Sequence, residues 1–251
     1  MDVGLYDSIF RRKSVRKYNM DPISQGTIGE ISDHLETLEP LCPEIKVRFM
    51  FAEHGEIANL LPVRCPHYLL MFSETEDNYL YNVGFIGQQI DLYLSARGLG
   101  SCWLGLAKPH QEISGTEELD FVIMLGFGEA AEPLYREEVS QFKRKPLSQI
   151  SSVLGAEELL EPVRLAPSAV NRQPWYFYGT PQELHVAREK LNPVTYPIYN
   201  RLNQIDTGIG LCHLVLSAEH LGKSLSFQFG DDERQDPPPG YQYVVTASIE
   251  P

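Results

Sequence analysis

Two stretches of this chain close on nearly the same string: SARGLGS at 95–101 and SAEHLGK at 217–223. Each ends an apolar run with helical spacing, over 82–97 and 204–221, and each run stops at glycine. A glycine there supplies the left-handed residue that commonly closes a helix. The two strings lie 122 positions apart in a chain of 251 residues, about half its length. Helices this apolar cannot bury their faces alone. Their recurrence, in a similar order of helices and strands, predicts an internal duplication with two halves packed face to face.

The order runs as follows. A short helix is expected over 3–11. A second is expected over 27–38, where Ile28, Ile31, Leu35 and Leu38 carry the helical period and Thr27 with Glu30 reads as a capping box. VRFMFAE at 47–53 and YLLMFS at 68–73 read as strands. FVIMLG at 121–126 is wholly apolar, as for a strand covered on both faces. In the second half a helix is expected over 157–165, and strands over 175–178, 225–229 and 241–249. DDERQDPPPG at 231–240 reads as a polar surface loop. The expected division is 1–150 and 151–251.

Composition narrows the class. Lys plus Arg number 21 against 34 Asp plus Glu, a formal net charge of −13. Nucleic acid and anionic membranes repel such a chain. With 43% hydrophobic residues and ordinary aromatic content it is not a disordered sequence. No apolar run approaches bilayer length, and MDVGLYDSIF lacks the layout of a signal peptide. Cys42, Cys65, Cys102 and Cys212 are scattered without a C-x-x-C pair, and the seven His show no ligand spacing. The expectation is a cytoplasmic globular protein without a metal.

The positive charge is concentrated. Arg11, Arg12, Lys13, Arg16 and Lys17 place five cations in seven positions, with Ser14 among them, and Lys143, Arg144 and Lys145 form a second group. A short basic run is ordinarily a solvated face. An arginine held beside a hydroxyl also suits a phosphate monoester, which needs charge and directional donors together.

Four segments then resemble the FMN-dependent nitroreductase family: RRKSVRKY at 11–18, GLGSCWLGL at 98–106, KRKPL at 143–147 and LAPSAVNRQPW at 165–175. The last is the specific one. The resemblance implies an α+β fold of the nitroreductase-like three-layer α/β/α type, with FMN as cofactor and NAD(P)H as transient electron donor. Ordinary members are homodimers whose subunits each carry every motif. Here the first half has the phosphate-binding strings and EPLCPEI where the ring-covering string would stand, and the second half has the converse. This implies two tandem degenerate halves forming an internal pseudo-dimer, monomeric, with one flavin set between them.

The resemblance brings Arg12, Lys13, Ser14 and Arg16 to the flavin, with Arg12 and Ser14 at its phosphate end and Arg144 as a second phosphate ligand. Arg16 falls to the pyrimidine edge, where negative charge collects on reduction and a fixed cation raises the potential. Pro167, Ser168, Ala169 and Asn171 are expected along one edge of the ring. Trp103, Leu104 and Gly105 are expected beside it, with a main-chain N–H directed at flavin N5. Gln173, Trp175 and Cys102 read as loop support and core. No acid–base residue is assigned, because flavin chemistry asks the protein mainly for positioning and electrostatics. The implied activity carries a hydride from NAD(P)H through FMN to a nitroaromatic, quinone or similar small acceptor. A flavin-binding redox sensor and a reductive dehalogenase-like enzyme are the alternatives.

Overall fold

The computed structural model describes residues 4–60, 62–110, 118–230 and 236–250. The chain divides into two compact units, 1–141 and 142–251. The division falls before KRKPL, so that segment belongs with the second unit, not with the 1–150 half expected from sequence.

The first unit opens with α1 (Leu5–Ile9) and α2 (Gln25–Leu35). The α2 N-cap is Ser24, whose hydroxyl accepts from the Thr27 N–H at 3.1 Å. Thr27 is thus the third helical residue and not the cap, because Ser24 stands in the extended conformation that lets an oxygen reach back to the first turn. The strands β1 (Val47–Glu53), β2 (Ile57–Asn59) and β3 (His67–Ser73) follow, then α3 (Tyr79–Ala96). The unit closes with β4 (Gly100–Trp103), β5 (Ala107–Pro109) and β6 (Asp120–Gly128). The main sheet has the order β1-β3-β6-β4 and every pairing in it is antiparallel. All seven residues of the interior strand β3 are buried, which is why HYLLMFS shows no alternation. On one side Val15, Cys65, Tyr68, Leu70, Phe72, Cys102, Leu104 and Met124 pack together as core. Helix α3 buries nearly its whole circumference, as its near-uniform hydrophobicity requires.

The second unit contains α4 (Leu147–Ile150), α5 (Glu157–Arg164), β7 (Trp175–Gly179), β8 (Glu183–Glu189), α6 (Tyr196–His220), β9 (Ser224–Phe229) and β10 (Tyr241–Glu250). Its sheet has the order β7-β8-β10-β9, again antiparallel throughout. Two helices, two strands, one long helix and two strands therefore recur, with the same strand order. Among the described residues, the β2–β5 pair is found in the first unit and not in the second. Helix α6 begins two turns earlier than its sequence pattern suggested, with Pro197 in its first turn, where a missing N–H costs nothing. Strand β8 was not anticipated. The 231–240 loop lies outside the described residues at 231–235.

The long helices end alike in atomic detail. After α3, Gly98 takes φ +78°, the Leu99 N–H donates to Leu94 O at 2.9 Å and the Gly98 N–H to Ser95 O at 3.2 Å. After α6, Gly222 takes φ +69°, Lys223 donates to Ala218 O at 2.9 Å and Gly222 to Glu219 O at 3.0 Å. Both are Schellman closures. They match Gly98 with Gly222, an offset of 124, so the letter-by-letter alignment at 122 is displaced by two residues. The strands that follow begin at Gly100 and Ser224, at the same new offset.

Among the described residues no helix is long and apolar enough to cross a membrane. All four cysteines are free and buried.

Candidate functional site

In the first unit the 11–19 segment is held between β4 and the 129–136 stretch. Ser14 bridges Ser101, and the Val15 N–H donates to Ser101 O at 2.9 Å. Arg12 bridges Tyr135, and Tyr18 bridges Ala130. The close approach depends on Gly100: a Cβ there would lie 2.9 Å from the Val15 side chain.

This threading gathers the basic side chains. The Arg12 guanidinium is buried, its Nη2 donating to Ser14 Oγ at 3.0 Å. Its Nε lies 2.9 Å from Asp91 Oδ2 as an ion pair, off the hydrogen-bond line. Asp91 also accepts from Ser101 Oγ at 2.5 Å. A single fully buried carboxylate thus ties the basic segment to β4 from the middle of α3. Arg136 adds another cation by donating to Arg12 O. Its pKa is pushed down to about 10, first by burial and then by Arg12 and Arg16. Arg16 is exposed, with its main-chain N–H donating to Glu132 Oε1 at 2.9 Å. Lys13 Nζ lies 3.8 Å from the same oxygen. Arg12, Lys13, Ser14 and Arg16 are therefore gathered together, and Arg136 joins them.

The 103–105 segment runs on from β4. Trp103 is half-buried, its indole N–H donating to Gln88 Oε1 at 3.3 Å. The Leu104 side chain is buried in the core and its N–H donates to Met124 O at 3.0 Å. That amide is spent in the sheet, so the main chain of this segment is open to a ligand only at its neighbours. Gly105 follows in a half-buried turn. Cys102 is core, its thiol pushed up to about 11 by burial against the opposing pull of Arg16 and Arg12.

In the second unit KRKPL lies along the loop after α5. Arg144 donates to Leu165 O through Nε at 3.3 Å and Nη2 at 3.1 Å, and its Nη1 donates to Asn171 Oδ1. Asn171 Nδ2 donates to Lys143 O at 3.0 Å. Gln173 Oε1 accepts from the Lys145 N–H at 2.9 Å, and Lys145 Nζ donates to Gln173 O at 3.2 Å. The second basic group and the LAPSAVNRQPW string are thus laced together, with Arg144 directly on Asn171. Pro167 is buried, Ser168 and Ala169 are half-buried, and Asn171 is exposed. Ser168 Oγ accepts from the Gln173 N–H at 2.9 Å. Gln173 and Trp175 are buried supports, as the sequence suggested.

Sequence reasoning missed Asp91, Glu132, Arg136 and Asp206. A signal existed for Asp91, a lone acid within an apolar helix, because an ionised residue is seldom fully buried unless paired. Asp206 in α6 carries the same signal.

A family model described as "Putative TM nitroreductase" matches residues 4–218. A crystal structure of a putative nitroreductase from Thermotoga maritima aligns over 98% of this chain and 94% of its own, at 22% identity and TM-score 0.67. A nitroreductase family protein from Clostridium difficile aligns over 59% of this chain and 94% of its own, at 17% identity and TM-score 0.45. A putative nitroreductase from Exiguobacterium sibiricum, solved in complex with FMN, aligns over 59% and 95%, at 15% identity and TM-score 0.44. No curated protein matches. With 4–218 matched by its model, and the Thermotoga fold shared along almost the whole length, this chain belongs to the putative TM nitroreductase family.

Proposed function

We propose that the protein is an FMN-dependent oxidoreductase, taking a hydride from NAD(P)H and delivering electrons to a flat small acceptor such as a nitroaromatic or quinone. The observation that carries this is the gathering of Arg12, Lys13, Arg16 and Arg136 around Ser14 in a chain of net charge −13, with Arg12 Nη2 donating to Ser14 Oγ at 3.0 Å and Arg136 donating to Arg12 O. Asp91 and Glu132 offset part of this charge, and the remainder, set beside a hydroxyl, suits a dianion such as the phosphate of FMN. The residues present fit it. Ser14 offers its hydroxyl, Lys13 and the exposed Arg16 bring charge, and Arg12, held by Asp91, supplies a fixed one.

Bound FMN would supply the two-electron chemistry. The chain's own work is to hold the phosphate, to place a cation near the ring and to cover it. We assign the first two tasks to Arg12, Lys13, Ser14 and Arg16, with Arg144 as a further phosphate ligand. The third falls to Trp103, Gly105 and the 167–171 loop.

The matching element order and sheet order of the two units support a fused pair of degenerate halves. A monomer holding one flavin is the arrangement we propose.

The test is direct. Flavin released on denaturation should equal one FMN per chain; two would remove the degenerate-halves reading. Mixing the protein anaerobically with NADH or NADPH should bleach the flavin absorbance within the mixing experiment. A flavin that neither nicotinamide bleaches would overturn the reductase and leave a binder or sensor.

A further inference from the structure

The string PSAVNRQP is held in an improbable backbone. Val170, Asn171 and Gln173 all take left-handed conformations, at φ 45°, 59° and 49°. For residues other than glycine each costs about 1 kcal/mol or more, so such a cluster persists only where its surroundings over-determine it. Side chains of the turn supply part of this, through Ser168 with Gln173 and Asn171 with Arg144.

The rest comes from α6. Asp206 is 4% exposed, and both of its carboxylate oxygens accept from the Ala169 N–H, at 3.1 and 3.0 Å. Ala169 is the last residue before the left-handed pair. Fixing its amide fixes where the left-handed pair begins.

The first unit repeats this contact in another chemical form. Asn82 in α3 is fully buried, and its Oδ1 accepts from the Leu41 N–H at 2.9 Å and the Cys42 N–H at 3.0 Å. Those amides belong to EPLCPEI, the segment between α2 and β1, as Ala169 belongs to the segment between α5 and β7. Asn82 lies fifteen residues before the α3 C-cap Arg97, and Asp206 fifteen residues before the α6 C-cap Leu221. The two acceptors therefore occupy the same step of corresponding helices at the offset of 124. The sequence alignment at 122 hides the match.

We infer that Asp206 is the positioning residue of the 167–173 turn, setting its geometry through the Ala169 amide, and that Asn82 is its counterpart for Leu41 and Cys42. The consequence for flavin rests on the function proposed above; the anchoring itself does not. An acceptor, not a charge, is what the role requires, since the first unit performs it with an amide.

The test uses the full chain with Asp206→Ala, Asp206→Asn and Asn82→Ala. Hydrogen exchange of the Ala169 amide, measured without flavin, should be about tenfold faster in D206A, the factor that about 1.4 kcal/mol represents. It should be near the parent rate in D206N and N82A. N82A should instead accelerate the Leu41 and Cys42 amides. With FMN, D206A should bind about tenfold more weakly and lose structure in its visible band, whereas D206N should stay within about threefold of the parent. Should D206A prove insoluble, Asp206→Leu takes its place. Unchanged Ala169 exchange in the variant lacking an acceptor overturns the inference, as does D206N behaving like D206A. Faster exchange with unaltered FMN affinity overturns the positioning role. If the parent chain takes up no FMN, the proposed function fails, and the exchange data still decide the anchor.

Discussion

The Arg12 guanidinium and the Asp91 carboxylate form an ion pair at 2.9 Å with side-chain exposures of 2% and 0%. Removing one partner of such a pair strands the other charge in a medium that solvates it poorly, a loss of about 3 to 5 kcal/mol. Asp91→Ala should therefore lower the urea midpoint sharply. Asp91→Asn keeps an acceptor for Ser101 and should cost less. Equal midpoints for D91A and the parent would mean that the pair is not the tie between α3 and the basic segment.

Helix α3 meets Trp103 at Gly87, where a Cβ would stand 2.5 Å from the indole Cη2 and 2.8 Å from Met71 Cε. The Met71 thioether end is flexible and can give way, but the indole is rigid and does not yield cheaply. Gly87→Ala should destabilise the chain by about 1 to 3 kcal/mol. It should also shift tryptophan emission, which is readable because the chain has two tryptophans. An unchanged spectrum would show that the ring is not displaced.

One buried amide stands apart. Asn203 is fully buried in α6, and among the described residues neither its Oδ1 nor its Nδ2 finds a hydrogen-bond partner. A buried polar group left unmade costs about 1 to 3 kcal/mol, and an apolar group of the same shape escapes that cost. Asn203→Leu should raise the melting temperature; a fall would reveal a partner such as an internal water.

Asp206 should also impose a pH dependence. Burial raises its pKa to about 8 from 3.8, opposed by the Ala169 N–H and by Arg172 and Arg144. Between those values the native chain holds a proton that the unfolded chain has released. Stability should then fall as pH rises from about 4 to about 8, and level off above, where both states are ionised. Asp206→Asn should flatten that slope in chemical denaturation at several pH values. A slope that survives the substitution must come from other groups.

Much of this was legible in the letters, and the reasons for the rest are physical. The strands Val47–Glu53 and Trp175–Gly179 and the glycine stops of both long helices follow from local pattern. Strand β8, ELHVARE, did not, because His185 and Arg188 are buried where a hydropathy reading expects solvent. His185 Nδ1 lies 3.0 Å from Thr246 Oγ1 and Arg188 donates to Asn200 at 3.0 Å, partners far along the chain. The basic strings announced themselves by charge density. Arg136 did not, since it acts through Arg12, distant in sequence, and Asp91 and Asp206 showed only as lone acids in apolar helices, with their partners hidden. Asn82 and Asp206 could be equated only once the helix caps fixed the offset.

That offset has one more outcome. Counting from Gly98 and from Gly222, the indole of Trp103 and the phenyl of Phe227 stand at the same step of β4 and β9. A reader comparing spellings sees GLGSCWLG in one place and nothing like it in the other. A reader counting from the caps finds an aromatic ring waiting at both addresses. Chain geometry has kept a record here that the alphabet has let go.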